Sequence, residues 1–344
     1  MNTQQREALE ATARKLVAPG KGILAADESN ATMTKRLDAV GAESTAESRR
    51  QFRELLITTP GVADRISGMI LYDETIRQRV SSGEMFPELL AARGVITGIK
   101  VDTGAKALAG APGETITEGL DGLRDRLADY HERGARFAKW RAVIAIGDGL
   151  PSRYCIAANA HALGRYAVLC QEAGLVPIVE PEVLMDGDHS IERSEEVTRS
   201  VLRVVFGELL DQRVLLEGMV LKPNMVLTGY QCERRAGVEE VAERTLAVLR
   251  QVVPAAVPGI AFLSGGQSNE LANAHLNAIN AAVAPWQLTF SYGRALQATP
   301  LKLWGGEVGN AAVAQAGFAH RARCTAQARA GRYTAALEHE LTAA

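Results

Sequence analysis

The sequence predicts a single (β/α)₈ TIM barrel of the α/β class, and three observations carry that prediction. Eight short apolar, β-branched runs recur along the 344 residues, amphipathic helical stretches separate them, and no Pro-, Gly- or Ser-rich linker divides the chain. The runs lie near Gly22–Asp27, Ile66–Asp73, Val95–Asp102, Phe137–Ile144, Leu175–Glu180, Val214–Lys222, Gly259–Ser264 and Leu288–Ser291. Between them the helical period is visible: Val238, Val241, Thr245, Leu246 and Leu249 share one face. Pro151-Ser152 is placed to start the helix after the fourth strand, and Gly174 to stop it. One of Asp27, Glu28 and Ser29 is expected to cap a helix over Ala31–Val40. A helix over Gln5–Val17 precedes the first strand, and an alanine-rich tail from about Ala311 to Ala344 follows the last. The expected organisation is one domain spanning residues 1–344, with a barrel core at about 20–305 and a C-terminal extension at about 306–344.

Composition narrows the function classes. The chain is 47% hydrophobic and 23% charged with a net charge of −2, which gives no electrostatic case for nucleic acid or a membrane surface as partner. No apolar stretch approaches the ~18–20 residues of a membrane span, and Met1–Glu10 reads as a polar helix rather than a signal peptide. Cys155, Cys170, Cys232 and Cys324 are scattered, with no CxxC pair and no Cys/His clustering evident. Core thiols in a reducing, cytoplasmic compartment are the expectation. The six histidines form no HxxxH or HxH pair, so no catalytic metal and no cofactor is expected.

Lysine usage singles out a position. Only Lys15, Lys21, Lys35, Lys100, Lys106, Lys139, Lys222 and Lys302 are lysines, all other cationic side chains apart from histidine being arginine. Lys222 closes the apolar run Val214–Val220 and Leu221, where a buried charge is costly unless it is lost, paired or used. A buried lysine points to amine chemistry that a guanidinium does not perform, because a desolvated amine attacks carbonyls.

Polar residues collect at the strand ends. Asp27, Lys100, Lys139, Glu180 with Glu182, Lys222, Ser264-Gly265-Gly266 and Ser291-Tyr292-Gly293-Arg294 each fall at or near one. The C-terminal face of such a barrel carries the active site, so these groups converge although far apart in sequence. Taken singly, each has a structural reading: a snorkelling lysine, an acidic helix start at Glu180-Pro181-Glu182, ordinary glycine turns. Together, two lysines facing one mouth are expected to depress each other's pKa, with paired carboxylates beside them for acid–base work. The glycine turns after the seventh and eighth strands offer backbone N–H groups and a guanidinium to a phosphate.

Seven blocks then resemble one family. They are Lys21–Ser29, Gly98–Asp102, Phe137–Arg141, Val176–Glu182, Leu221–Val226, Phe262–Ser268 and Thr289–Gln297, and they are similar to class I fructose-bisphosphate aldolase over about residues 15–335. The resemblance implies metal-free, reversible cleavage of fructose 1,6-bisphosphate into dihydroxyacetone phosphate and glyceraldehyde 3-phosphate, a step of glycolysis and gluconeogenesis. It implies Lys222 as the Schiff-base lysine, Glu180 as the acid/base, and Glu182 and Lys139 as groups that tune Lys222 and the substrate oxygens. It places Asp27 at the substrate C4 hydroxyl. Ser264, Gly265, Gly266, Ser291, Gly293 and Arg294 match one phosphate site, and Arg36, Ser29, Lys100 and Arg141 match groups placed toward the other. A homotetramer is implied as well. Animal members end in a terminal tyrosine that assists proton exchange on the enamine. Here the last tyrosine, Tyr333, matches an earlier tail position, so Glu180 or a water is expected to move that proton.

Two alternatives stay open on the sequence. A transaldolase-like Schiff-base transferase would need one phosphate site rather than two, and a silent sugar-phosphate-binding barrel would have no need to keep buried charges. A metal-dependent aldolase would need the clustered ligands that the histidines do not supply.

Overall fold

A computed structural model of the chain describes residues 1–340; Leu341–Ala344, the end of the expected tail, lie outside the described residues. Among the described residues ten strands are present: β1 (Gly22–Ala25), β2 (Ile66–Leu71), β3 (Ile96–Lys100), β4 (Gly104–Ala107), β5 (Thr115–Glu118), β6 (Phe137–Ile144), β7 (Val176–Val183), β8 (Val220–Leu221), β9 (Gly259–Phe262) and β10 (Gln287–Tyr292). Eight of them close a barrel in the order β1-β10-β9-β8-β7-β6-β3-β2, and every pairing in it is parallel. This is the (β/α)₈ barrel that the alternation of runs predicts. All eight expected strands occur. β6 has the expected bounds, and the others move at one or both ends.

Two differences have physical causes. The run Val214–Lys222 is not one strand: Leu216–Gly218 forms a 3₁₀ turn and only Val220–Leu221 pairs. Apolarity there serves burial under the N-terminal helix, whose capping box is made by Asn2 and Gln5. The antiparallel hairpin of β4 and β5 was not expected, because its mostly exposed Gly104–Ala107 strand has no apolar periodicity to betray it.

Side-chain alternation orders the core. Ile23, Ala25, Ile70, Phe137, Val176, Ile178, Val220 and Ala261 pack in one cluster with Leu9, Ala13, Leu16 and Val17. The helix Thr3–Leu16 thus plugs the barrel floor. Gly68 and Gly259 make room for it: a Cβ on Gly68 would stand 2.8 Å from Leu16, and one on Gly259 would stand 2.6 Å from Val17. A second, larger cluster fills the layer between strands and outer helices. The tail contributes the helix Ala311–Arg329, whose Arg329 donates to the Val17 carbonyl at 2.7 Å. No helix among the described residues is long and apolar enough to cross a membrane.

Candidate active site

The inward-facing positions of the strands continue, two residues at a time, into the barrel mouth. Val176 and Ile178 lead to Glu180 and Glu182; Phe137 leads to Lys139 and Arg141; Val220 leads to Lys222; Ile23 and Ala25 lead to Asp27. The pleat therefore aims the charged set at one point above the apolar floor. Parallel register does the rest, pairing Lys100 with Lys139 and Arg141 with Glu180 across neighbouring strands. Glu180-Pro181-Glu182 lies inside β7 and starts no helix.

A cavity of about 1100 Å³ opens there, lined by every sequence-predicted site residue. Lys222, Lys139, Glu180 and Glu182 are between 3% and 6% exposed, so their charges are settled by one another rather than by water. Glu180 bridges the two lysines: its Oε1 lies 3.0 Å from Lys222 Nζ and its Oε2 3.5 Å from Lys139 Nζ. Lys139 Nζ also meets Asp27 at 2.7 Å and Asp102 at 3.9 Å.

The expectation that two lysines would lower each other's pKa is corrected for Lys139. Burial does push its ammonium down, but Asp27, Glu180 and Asp102 outweigh burial and hold it well above the usual lysine range. Asp27 mirrors this: burial raises its carboxyl, while Lys139, Lys222 and Lys100 pull it down to about 2. Lys139 is thus a fixed cation and Asp27 a fixed anion.

The remaining groups form two sets around the cavity. In one, Ser264 and Ser291 flank Gly265 and Gly266, whose φ values of +57° and +85° are open only to residues without a Cβ clash. Tyr230 donates to the Gly265 carbonyl at 2.5 Å and shapes that turn. Gly293 precedes the helix Arg294–Trp304, and Arg294 has no carboxylate within ion-pairing distance among the described residues. Ser291 Oγ is buried without a hydrogen-bond partner. Donors without acceptors are what an anion requires.

In the other set each of the three cations is already paired with a carboxylate. Arg36 pairs with Glu28, Lys100 with Asp102 at 2.5 Å, and Arg141 with Glu182. Ser29 caps the helix Asn30–Asp38 by accepting from Thr32 N at 3.3 Å, so its hydroxyl is committed to the backbone while it lines the cavity.

Three contributors escaped the sequence reading as candidates. Asp102 braces Lys100 and accepts from Arg141 N at 3.3 Å; its place two residues after inward Lys100 was the available signal. Glu28 holds Arg36 and accepts from Gln297 at 2.8 Å. Tyr230 comes from the loop after β8, where no periodicity marks it. The reading of no Cys/His clustering also needs correction: His320 and Cys324 stand one helical turn apart, with Glu338 beside them. That spacing was visible as His-x-x-x-Cys.

Comparison with known proteins bears directly on this site. The family described as Glycolytic, Fructose-bisphosphate aldolase class-I, matches residues 8–344. The chain belongs to the class I fructose-bisphosphate aldolase family. A probable fructose-bisphosphate aldolase class 1 from Xanthomonas campestris pv. campestris is 57% identical over 329 residues, covering 95% of this chain and 98% of that one. A fructose-bisphosphate aldolase from Dictyostelium discoideum is 50% identical over 338 residues, covering 97% and 95%. The Plasmodium falciparum fructose-bisphosphate aldolase, solved in complex with TRAP and a small-molecule inhibitor, superposes with a TM-score of 0.96 at 47% identity over 97% of both chains. As a fructose-bisphosphate aldolase the chain is a carbon–carbon lyase acting on a sugar bisphosphate.

Proposed function

We propose that this aldolase cleaves fructose 1,6-bisphosphate through an iminium formed on Lys222. The supporting observation is the pairing of Lys222 Nζ with Glu180 Oε1 at 3.0 Å beside a lysine that three carboxylates keep charged. An ammonium held by Asp27, Glu180 and Asp102 is no nucleophile, which leaves Lys222 as the amine that attacks the substrate carbonyl. Glu180 is within the 2.6–3.2 Å reach of a general acid–base and serves carbinolamine formation and dehydration: it takes the protons that leave the Lys222 nitrogen and delivers them to the carbonyl-derived oxygen, which departs as water. Asp27, ionised, accepts the C4 hydroxyl proton as the C3–C4 bond breaks, and the iminium stores the electron pair as an enamine. Glu180, reprotonated from solvent after dehydration, then delivers that proton to the enamine carbon, while Asp27 passes the C4 hydroxyl proton to solvent. Lys139 stabilises negative charge developing on substrate oxygens, and Glu182 orients Arg141.

The phosphates take opposite ends. Ser264, Gly265, Gly266, Ser291, Gly293 and unpaired Arg294 form the end that is ready for an anion. Arg36, Ser29, Lys100 and Arg141 receive the second phosphate, and there each cation must share itself with its present carboxylate. The same reading takes the chain as one domain with residues from about 306 as an extension, supported by the Arg329 link to the barrel floor. It also takes the enzyme to act in the cytoplasm as a homotetramer, on family resemblance.

Borohydride reduction in the presence of dihydroxyacetone phosphate, followed by peptide mapping, tests the nucleophile. A stable adduct on the Lys222 peptide is expected. No adduct, with cleavage that chelators remove, would assign the reaction to a metal. An adduct on the Lys139 peptide would reverse the roles of the two lysines.

A further inference from the structure

Helix Ala311–Arg329 carries His320 and Cys324 one turn apart, both buried and both remote from the barrel cavity. Glu338 reaches them from the 3₁₀ turn Ala335–His339, and one donor atom of each of the three lies within 4.8 Å of the others. The aldolase reaction uses none of these groups.

Hydrogen bonding is thin at the histidine and the cysteine. His320 is 8% exposed, yet its Nδ1 has no partner, and its Nε2 faces Cys324 Sγ at 3.6 Å. The other approach to that sulfur is the Leu337 carbonyl, also at 3.6 Å. Glu338 is held more firmly: its Oε1 accepts from the Tyr333 hydroxyl at 2.7 Å and from the Asn273 amide at 3.4 Å, and its Oε2 is ion-paired with Arg321. The facing pair, His320 Nε2 and Cys324 Sγ, thus has only long contacts of 3.6 Å in a buried setting.

We propose that His320, Cys324 and Glu338 form a binding site for a divalent transition metal of the zinc class, bridging the tail to its helix. Ligands four residues apart on a helix present both donors on one face. Thiolate, imidazole and carboxylate together select zinc-like ions, whereas calcium and magnesium require several oxygens that this site lacks. Bond lengths of about 2.0–2.3 Å set tetrahedral donors roughly 3.3–3.8 Å apart, so the three side chains close on the ion by about an ångström and leave a fourth position open. The Cys324 thiol proton passes to solvent on binding. Arg321, released by Glu338 Oε2, still has Glu270, whose Oε1 lies 3.9 Å from its Nη1.

The test is calorimetric titration of the chelator-stripped full chain with zinc, beside cobalt spectroscopy, for the wild type, Cys324→Ser and Glu338→Gln. Wild type should bind one equivalent, with cobalt showing a thiolate charge-transfer band. Each substitution should weaken zinc by about tenfold or more, and Cys324→Ser should abolish the band. Cleavage activity of both variants should stay at the wild-type level, which shows that they fold. No zinc binding by active wild type, or wild-type affinity in either active variant, overturns the three-ligand site. If a substitution unfolds the chain, His320→Asn replaces it and must show the same loss.

Discussion

At the residue scale, the site works by unequal sharing of carboxylates. Lys139 has three and Lys222 has Glu180 alone, so two lysines in one cavity acquire different chemistry. Asp27 shows what this means for stability. Its ordinary value is about 3.9 and its folded value about 2, so the fold favours the ionised form. The associated stabilisation, roughly 2–3 kcal/mol, is complete above pH ~4 and is lost as pH falls through about 2. Urea midpoints between pH 5 and 2 should therefore fall more steeply for the wild type than for Asp27→Asn, which has no proton to gain there. The variant should already be less stable at neutral pH, since Lys139 loses a carboxylate. Parallel pH dependences in the two proteins would contradict the assignment.

At the element scale, strands position catalytic groups and loops position anion donors. The collection of charges at the strand ends was legible; the pleat that aims them, two residues beyond apolar inward positions, showed only in the structure. The loops were legible as glycine turns after β9 and β10, though not in their conformation. Gly266 has φ +85°, and a Cβ there would lie 3.0 Å from Arg294 Nη2. Gly266→Ala should therefore strain the turn and displace the guanidinium, raising KM for the bisphosphate roughly 5- to 30-fold, equivalent to about 1–2 kcal/mol, with a smaller change in kcat. Steady-state kinetics decide it: unchanged KM would mean that the turn does not bind the phosphate. The hairpin β4–β5 and the break before β8 were not legible, since neither exposed strands nor buried turns carry a period.

At the scale of the whole molecule, the tail is tied to the outside of the barrel while chemistry occurs at its mouth. Tyr333 donates to Glu338 at 2.7 Å and its N–H donates to Asn277 at 2.8 Å, and it does not line the cavity. Truncation after Gly331 should therefore leave both iminium trapping and proton exchange on the enamine of dihydroxyacetone phosphate within about a factor of ten of wild type, as follows from the proposed role of Glu180 in moving that proton. Exchange abolished with trapping intact would assign the step to the tail. The sequence by itself determined the barrel, a helix before its first strand, the identity of the charged residues and their place at the strand ends, because periodicity and residue chemistry are local properties. Only the tertiary structure decided which carboxylate meets which lysine, that Asp102 and Glu28 belong to the site, and that Glu338 reaches His320 and Cys324. Those pairings depend on strand register and on the docking of distant segments, which no local pattern encodes.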